Sequence, residues 1–219
     1  MARRTKKDAL ETRSNLLDAA EYLFQAQGVS ATSLQDIALR AGATRGAVYW
    51  HFKDKADLFN AMIDRVRQPL VSHFSQDGAE LQNGNAPVVD ALASMRCAIF
   101  NALTQIASDA QTRRVIEIAM QKVEYVEAHK AIYQRHLTTR NFFLVRVEQA
   151  LTTAAQQSSL VLAMPSDVAA HGLQALVDGL IQNWLLDPTA FDLPEAGRST
   201  TDIYFKGLGL IRQHDGIAV

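Results

Sequence analysis

The 219-residue chain is long enough to bury a sizeable core in one or two domains, and 48% hydrophobic and 21% charged residues, with 11 Gly and 5 Pro, exclude a disordered or fibrous polymer. The net charge of −1 hides an asymmetry: residues 1–67 hold 11 Lys or Arg against 8 Asp or Glu (+3), and residues 68–219 hold 11 against 15 (−4). A single cysteine, Cys97, excludes an intrachain disulfide and a thiolate metal site, residues 3–8 are charged rather than a secretory leader, and no stretch reaches the ~20 apolar residues of a membrane helix, so a cytoplasmic protein is expected.

Arg3, Arg4, Lys6 and Lys7 precede the first periodic stretch. They form either a frayed, solvated terminus or an arm that lies along DNA phosphates or enters a minor groove. Residues 8–26 place Leu16, Leu17, Ala20, Leu23 and Phe24 on one helical stripe, with Gly28 as the stop.

Residues 32–55, TSLQDIALRAGATRGAVYWHFKDK, carry the most information in the chain. Leu34, Ile37, Ala38 and Ala41 recur at helical spacing behind a cap at Thr32 or Ser33, with Gln35 or Asp36 completing a capping box. Gly42 supplies the positive φ of a sharp reversal, and Thr44 is a fresh N-cap, so a second short helix runs from near Arg45 to about His51. Ala47 and Val48 face inward and leave Thr44, Arg45, Gly46, Tyr49, Trp50 and His51 on the outside. Two short helices about a glycine turn predict a helix-turn-helix whose second helix enters a major groove. Arg45 has the fork for guanine O6 and N7 or for a phosphate, Gly46 permits close backbone approach, and Thr44, Tyr49 and His51 suit phosphate oxygens. Lys55 opens the next helix behind Asp54, where its charge and the free N–H groups face a phosphate. Taken one at a time, Tyr49 and Trp50 also fit as core aromatics and Arg45 and His51 as surface groups.

The capped helix at Thr32-Ser33-Leu34, the Ala41-Gly42 turn, Tyr49, His51-Phe52 and Lys55 resemble the TetR family of one-component bacterial repressors over residues 12–62. Further on, Asp109-Ala110, Thr112-Arg113-Arg114, Asp178-Gly179-Leu180 and Trp184-Leu185-Leu186 are similar to the AcrR-like branch, which represses multidrug efflux pumps. The resemblance implies about nine helices, a homodimer through the last two long helices, a palindromic operator and a small effector that releases it. It implies a helix-turn-helix domain at 1–55, its site residues Arg3, Arg4, Thr32, Ser33, Thr44, Arg45, Gly46, Tyr49, Trp50, His51 and Lys55, and a ligand-binding and dimerisation domain at 56–219.

The remaining elements read as helices too. One starts at Asp54 or Lys55 and shows Leu58, Phe59, Met62 and Val66 as far as Pro69 or beyond, where the ring removes a backbone bond. The polar stretch 76–87 predicts a loop. Residues 88–108 predict a buried helix with Val88, Leu92, Met95, Ile99, Ala102, Leu103 and Ile106; residues 109–123 carry Val115, Ile116, Ala119, Met120 and Val123 on an inner side; residues 124–157 form a long helical pattern. Met164-Pro165-Ser166-Asp167 is a stop and restart before the helix 167–186, and a last helix is expected from Pro194 to about Gln213. No strand or repeat is found, and the fold class is all-α.

An effector pocket is expected in the second domain from Met62, Met95, Ile99, Ile116, Met120, Gln174, Val177, Asp178 and Ile181, accepting an apolar or aromatic molecule. Ile116 and Met120 stand where relatives carry polar residues, which points to a more apolar preference. Asp178 interrupts an apolar stretch, either as a buried carboxylate bonded to Arg113 or Arg114 or as a polar handle for ligand. Gly172, Ala175, Gly179, Gly207 and Gly209 either admit a symmetry mate or pack internally. His129 and His136 are seven residues apart, too far to chelate alone, so no metal is expected; no cofactor is expected either. Nucleophile-elbow, P-loop, zincin and dinucleotide-binding signatures are missing, which argues against an enzyme. The reading from sequence is a dimeric, effector-released repressor; the alternative is a helical ligand- or partner-binding protein without operator binding.

Overall fold

The computed structural model describes residues 6–80, 90–124 and 130–211, with side chains described outside 68–80. Among the described residues the chain is all-α: α1 (Lys6–Gln27), α2 (Leu34–Arg40), α3 (Arg45–His51), α4 (Lys55–Glu80), α5 (Ala91–Ser108), α6 (Ala110–Gln121), α7 (Lys130–Gln157), α8 (Ser166–Leu186) and α9 (Leu193–Gly207). No helix among them is long and apolar enough to cross a membrane. Packing separates two compact units, Met1–Gln68 with Ala110–Leu137 and Pro69–Asp109 with Thr138–Val219.

The first unit is built on the stripe predicted for α1. Leu16, Leu17, Ala20 and Phe24 are buried against Ile37 and Ala38 of α2 and Val48 of α3, with Phe52 beside them. The same core takes Leu58, Phe59, Met62 and Val66 of α4, Val115 and Ile118 of α6, and Ile132 of α7. These packing units therefore do not follow the functional boundary expected at residue 55, because the apolar faces of α4 and α6 complete the core of the three short helices.

In the second unit α9 packs on both α5 and α8. Two glycines permit this. Gly197 is buried, and a Cβ there would collide with the Leu103 side chain of α5; Gly172 of α8 leaves room for the Tyr204 ring of α9, whose hydroxyl donates to the Ala169 carbonyl at 2.9 Å. Internal packing thus explains Gly172, whereas Gly179 and Gly207 meet nothing within 4 Å. Asp90 caps α5 through the Leu92 and Ala93 N–H groups, and Asp192 caps α9 through Glu195 N.

Several expected helix ends move. α4 runs to Glu80, so the loop expected from Gln76 starts as helix, and its remainder at 81–87 lies outside the described residues. The long helix begins at Lys130, after a stretch, 125–129, that is also outside them. α9 stops at Gly207 rather than near Gln213, because Gly209 adopts φ +83° and Leu210 N returns to the Phe205 carbonyl at 3.0 Å.

Candidate nucleic-acid interface

Local chemistry sets the two short helices. Ser33 has extended backbone angles (φ −94°, ψ 156°), and its hydroxyl accepts from Asp36 N at 3.1 Å while Ser33 N donates to the Asp36 carboxylate at 2.9 Å. This is a complete capping box. The Ser33 hydroxyl and N–H together hold the Asp36 carboxyl below the usual carboxylate range. At the other end Gly42 takes φ +63°, Gly42 N bonds to Leu39 O at 3.1 Å, and Ala43 N bonds to Ala38 O at 2.9 Å. That 6→1 and 5→2 pair is a Schellman stop, which turns the chain sharply into α3. Thr44 then caps α3 through Ala47 N at 3.2 Å, and the helix ends where Phe52 turns extended and buries its ring.

The residues left outside form a contiguous row. Thr44, Arg45 and Gly46 are exposed at the start of α3, Tyr49 and Trp50 are exposed on its next turn (Trp50 at 73%), and His51 is half-buried with its ring edge-on to Trp50 at 4.5 Å. Arg45 donates to the Tyr49 hydroxyl at 3.3 Å with its guanidinium 5.5 Å from the ring centroid. The tyrosine therefore orients the arginine fork along the outer face of the helix, which lowers the rotamer entropy it loses on docking.

Two expected contact residues have other work. Thr32 is 1% exposed; its hydroxyl donates to Gly28 O at 2.8 Å and accepts from Gln27 Nε2, so it ties off α1 and does not reach the outside. Lys55 places its ammonium on three carbonyls, Val29 O at 2.7 Å, Thr32 O at 3.0 Å and Ser30 O at 3.3 Å, and burial pushes its pKa down. In the first turn of α4 Asp57 N donates to the Asp54 carboxylate at 2.8 Å, and the Asp57 carboxylate accepts from Lys53 N at 2.9 Å. Lys55 is thus a clamp on the α1–α2 connector. Arg3 and Arg4 lie outside the described residues.

One polar group on the apolar face of α1 escaped the sequence reading. Glu21 is 1% exposed and accepts from Arg65 of α4 at 3.0 Å and from Gln111 of α6 at 3.0 and 3.3 Å. Desolvation raises its pKa despite these partners. The available signal was its position, four residues after Leu17 and three before Phe24, within the buried stripe.

The residues expected to contact effector divide between the units. In the first, Met62 is fully buried in the core while Ile116 and Met120 are half-buried on α6. In the second, Met95 and Ile99 are buried on α5; Gln174, Val177 and Ile181 share a face of α8, and the buried Gln174 Oε1 has no hydrogen-bond partner. Asp178 is exposed, which overturns its reading as a buried carboxylate. His136 is exposed, and His129 lies outside the described residues.

A capped helix, a Schellman turn and a second capped helix with an outward Arg-Tyr-Trp row define a helix-turn-helix DNA-binding protein. Residues 16–62 match the bacterial regulatory proteins of the tetR family, and residues 90–209 match the C-terminal region of MAATS-type transcriptional repressors. The chain belongs to the TetR family of regulators and is a transcriptional repressor. It is similar to the transcriptional regulator TtgR of Pseudomonas putida (37% identity over 88% of this chain and 89% of that one) and to AcrR of Shigella flexneri (36% over 90% and 89%). Among solved structures it resembles NalD, the secondary repressor of the MexAB-OprM multidrug efflux pump in Pseudomonas aeruginosa, with TM-score 0.80 and 34% identity over 94% of this chain and 100% of that one. SmeT, solved as a triclosan complex, follows at TM-score 0.77 and 27% identity, covering 94% of each chain.

Proposed function

We propose that this repressor binds an inverted-repeat operator as a homodimer in the cytoplasm, controls a multidrug efflux operon, and is released by a small, mostly apolar effector. The outward row Thr44, Arg45, Gly46, Tyr49 and Trp50 carries the DNA reading: Arg45 reads guanine, the hydroxyls take phosphates, and Ser33 meets the backbone at the start of α2. Val168 and Leu186 of α8 and Ile203 of α9 are each more than half exposed, and with the open Gly179 and Gly207 they favour α8 and α9 as the dimer face. For the effector, the unpartnered Gln174 Oε1 on the face of α8 shared with Val177 is a handle for a polar group, and Met95 and Ile99 of α5 supply apolar contact. The efflux assignment is supported by the similarity to the efflux-pump repressors NalD and SmeT, and SmeT's triclosan complex suggests the effector class.

Two recognition helices related by a two-fold axis meet one face of a duplex at half-sites about 34–36 Å apart, a helical turn or a multiple of it. Footprinting of the purified chain on the promoter upstream of its own gene, and on that of any adjacent pump operon, tests this. Protection of two symmetric half-sites is the expected result; one asymmetric site bound by a monomer would remove the dimeric-operator reading.

A further inference from the structure

α6 is attached to the helix-turn-helix by a row of polar contacts that runs the length of its α1 side. Gln111 donates to the buried Glu21 carboxylate at 3.0 and 3.3 Å, and Arg114 stands 3.8 Å from the same group. One turn on, Gln25 donates to Glu117 at 2.9 Å. At the far end Val29 N donates to Lys122 O at 3.1 Å and the Ser30 hydroxyl to Glu124 at 2.7 Å. These partners advance together along both helices, so α6 lies parallel to α1, and the residues just past its end, Lys122 and Glu124, hold the connector that leads into the α2 cap at Ser33.

That connector is held from a second side. The Lys55 ammonium bonds Val29 O, Ser30 O and Thr32 O, so residues 29–32 are suspended between the end of α6 and the start of α4. The root of the arrangement is Glu21. Arg65 of α4 pairs with it at 3.0 Å and with Asp18 at 2.7 Å, and a buried carboxylate stripped of a partner is costly. Sliding α6 against α1 would strip Gln111 from Glu21 and pull on Val29 and Ser30 in the same movement.

We propose that Glu21 and Gln111 are positioning residues for DNA binding: their hydrogen bond fixes α6 on α1, and through the 29–32 connector it sets α2 and α3 in the arrangement that grips the operator. Neither residue is on the outward face of α3, so neither contacts DNA. The inference rests on the operator-binding reading above.

The test uses the full-length chain and an inverted-repeat duplex selected by the wild-type protein from random-sequence DNA. Gln111→Ala is neutral in charge and removes one hydrogen bond to a carboxylate; operator affinity is expected to fall about five-fold, the scale of one such bond. The slope of log affinity against log salt stays unchanged, since no phosphate contact is lost. In a Glu21→Gln background the same Gln111→Ala change is expected to alter affinity less than two-fold, because its partner is already weakened. Ser30→Ala, at an exposed site that threatens folding least, should weaken binding in the same direction. Thermal melts of each variant separate this from unfolding: a role confined to stability lowers the melting temperature and leaves the affinity of the folded chain alone, which would overturn the proposal. Full additivity of Gln111→Ala and Glu21→Gln would overturn it too. If the wild-type chain selects no inverted repeat at all, the operator reading fails first, and that outcome is distinct from unchanged variants on a bound operator.

Discussion

Replacing Lys55 by Met separates a clamp from a phosphate contact. The substitution keeps the length and apolar stem of the side chain and deletes the ammonium that bonds three carbonyls. Ser30 O is exposed and its bond is long at 3.3 Å, so water replaces it at little cost. Val29 O and Thr32 O are part-buried, with bonds of 2.7 and 3.0 Å. An unsatisfied part-buried carbonyl costs about 1.5 kcal/mol, or about 3 kcal/mol for two, and about 1 kcal/mol returns as side-chain freedom, which leaves a net loss of about 2 kcal/mol. Urea unfolding followed by circular dichroism reads that number, and Lys55→Arg should recover part of it. Operator titrations at several salt concentrations read the other possibility: a lysine on a phosphate contributes about 0.9 to the slope of log affinity against log salt, whereas a lysine spent on carbonyls contributes close to nothing. A stability loss below about 0.5 kcal/mol combined with a slope reduced by about one would refute the clamp.

Arg45→Ala should reduce discrimination against a substituted guanine by about 1–3 kcal/mol, read as the ratio of affinities for matched and mismatched operators, while Tyr49→Phe, which frees the fork from its hydroxyl partner, should cost less. Glu21 supplies a pH signature. Its folded-state pKa is raised, so between pH 4.5 and the raised value the folded chain binds more protons than the unfolded one and this group's contribution to stability falls as pH rises. Glu21→Gln removes that slope, so urea midpoints of variant and wild type should diverge in favour of the variant from pH 4.5 upward; parallel midpoints would contradict it. Gly197→Ala drives a methyl into Leu103, itself 1% exposed and unable to swing away, and should lower stability by about 1–3 kcal/mol in thermal melts with no change in the DNA surface.

The bounds of α2 and α3 were legible almost to the residue, because the caps and the turn that set them are local. Ser33 reaches Asp36 three residues away, Gly42 supplies its own positive φ, and Thr44 caps Ala47; such bonds close within one turn of chain and leave a readable spacing. The α1 stripe is legible for the same reason, whereas the Asp90 and Asp192 caps emerge only from the structure. The tail of α9 was overrun because Gly209 was weighed as a packing glycine when its role is a left-handed stop. What tertiary structure decided is the set of partners that are far apart in the chain. Glu21 meets Arg65 across 44 residues and Gln111 across 90, and Lys55 reaches back 23 to 26 residues to its carbonyls. A lysine after a helix-turn-helix has the same local pattern whether it faces a phosphate or a carbonyl nest, and the direction it points is set by where α1 ends. The attachment of α6 to α1 likewise has no local signature: Gln111, Glu117 and Glu124 look like an ordinary solvated face until the burial of Glu21 supplies a cost that only α4 and α6 together can offset.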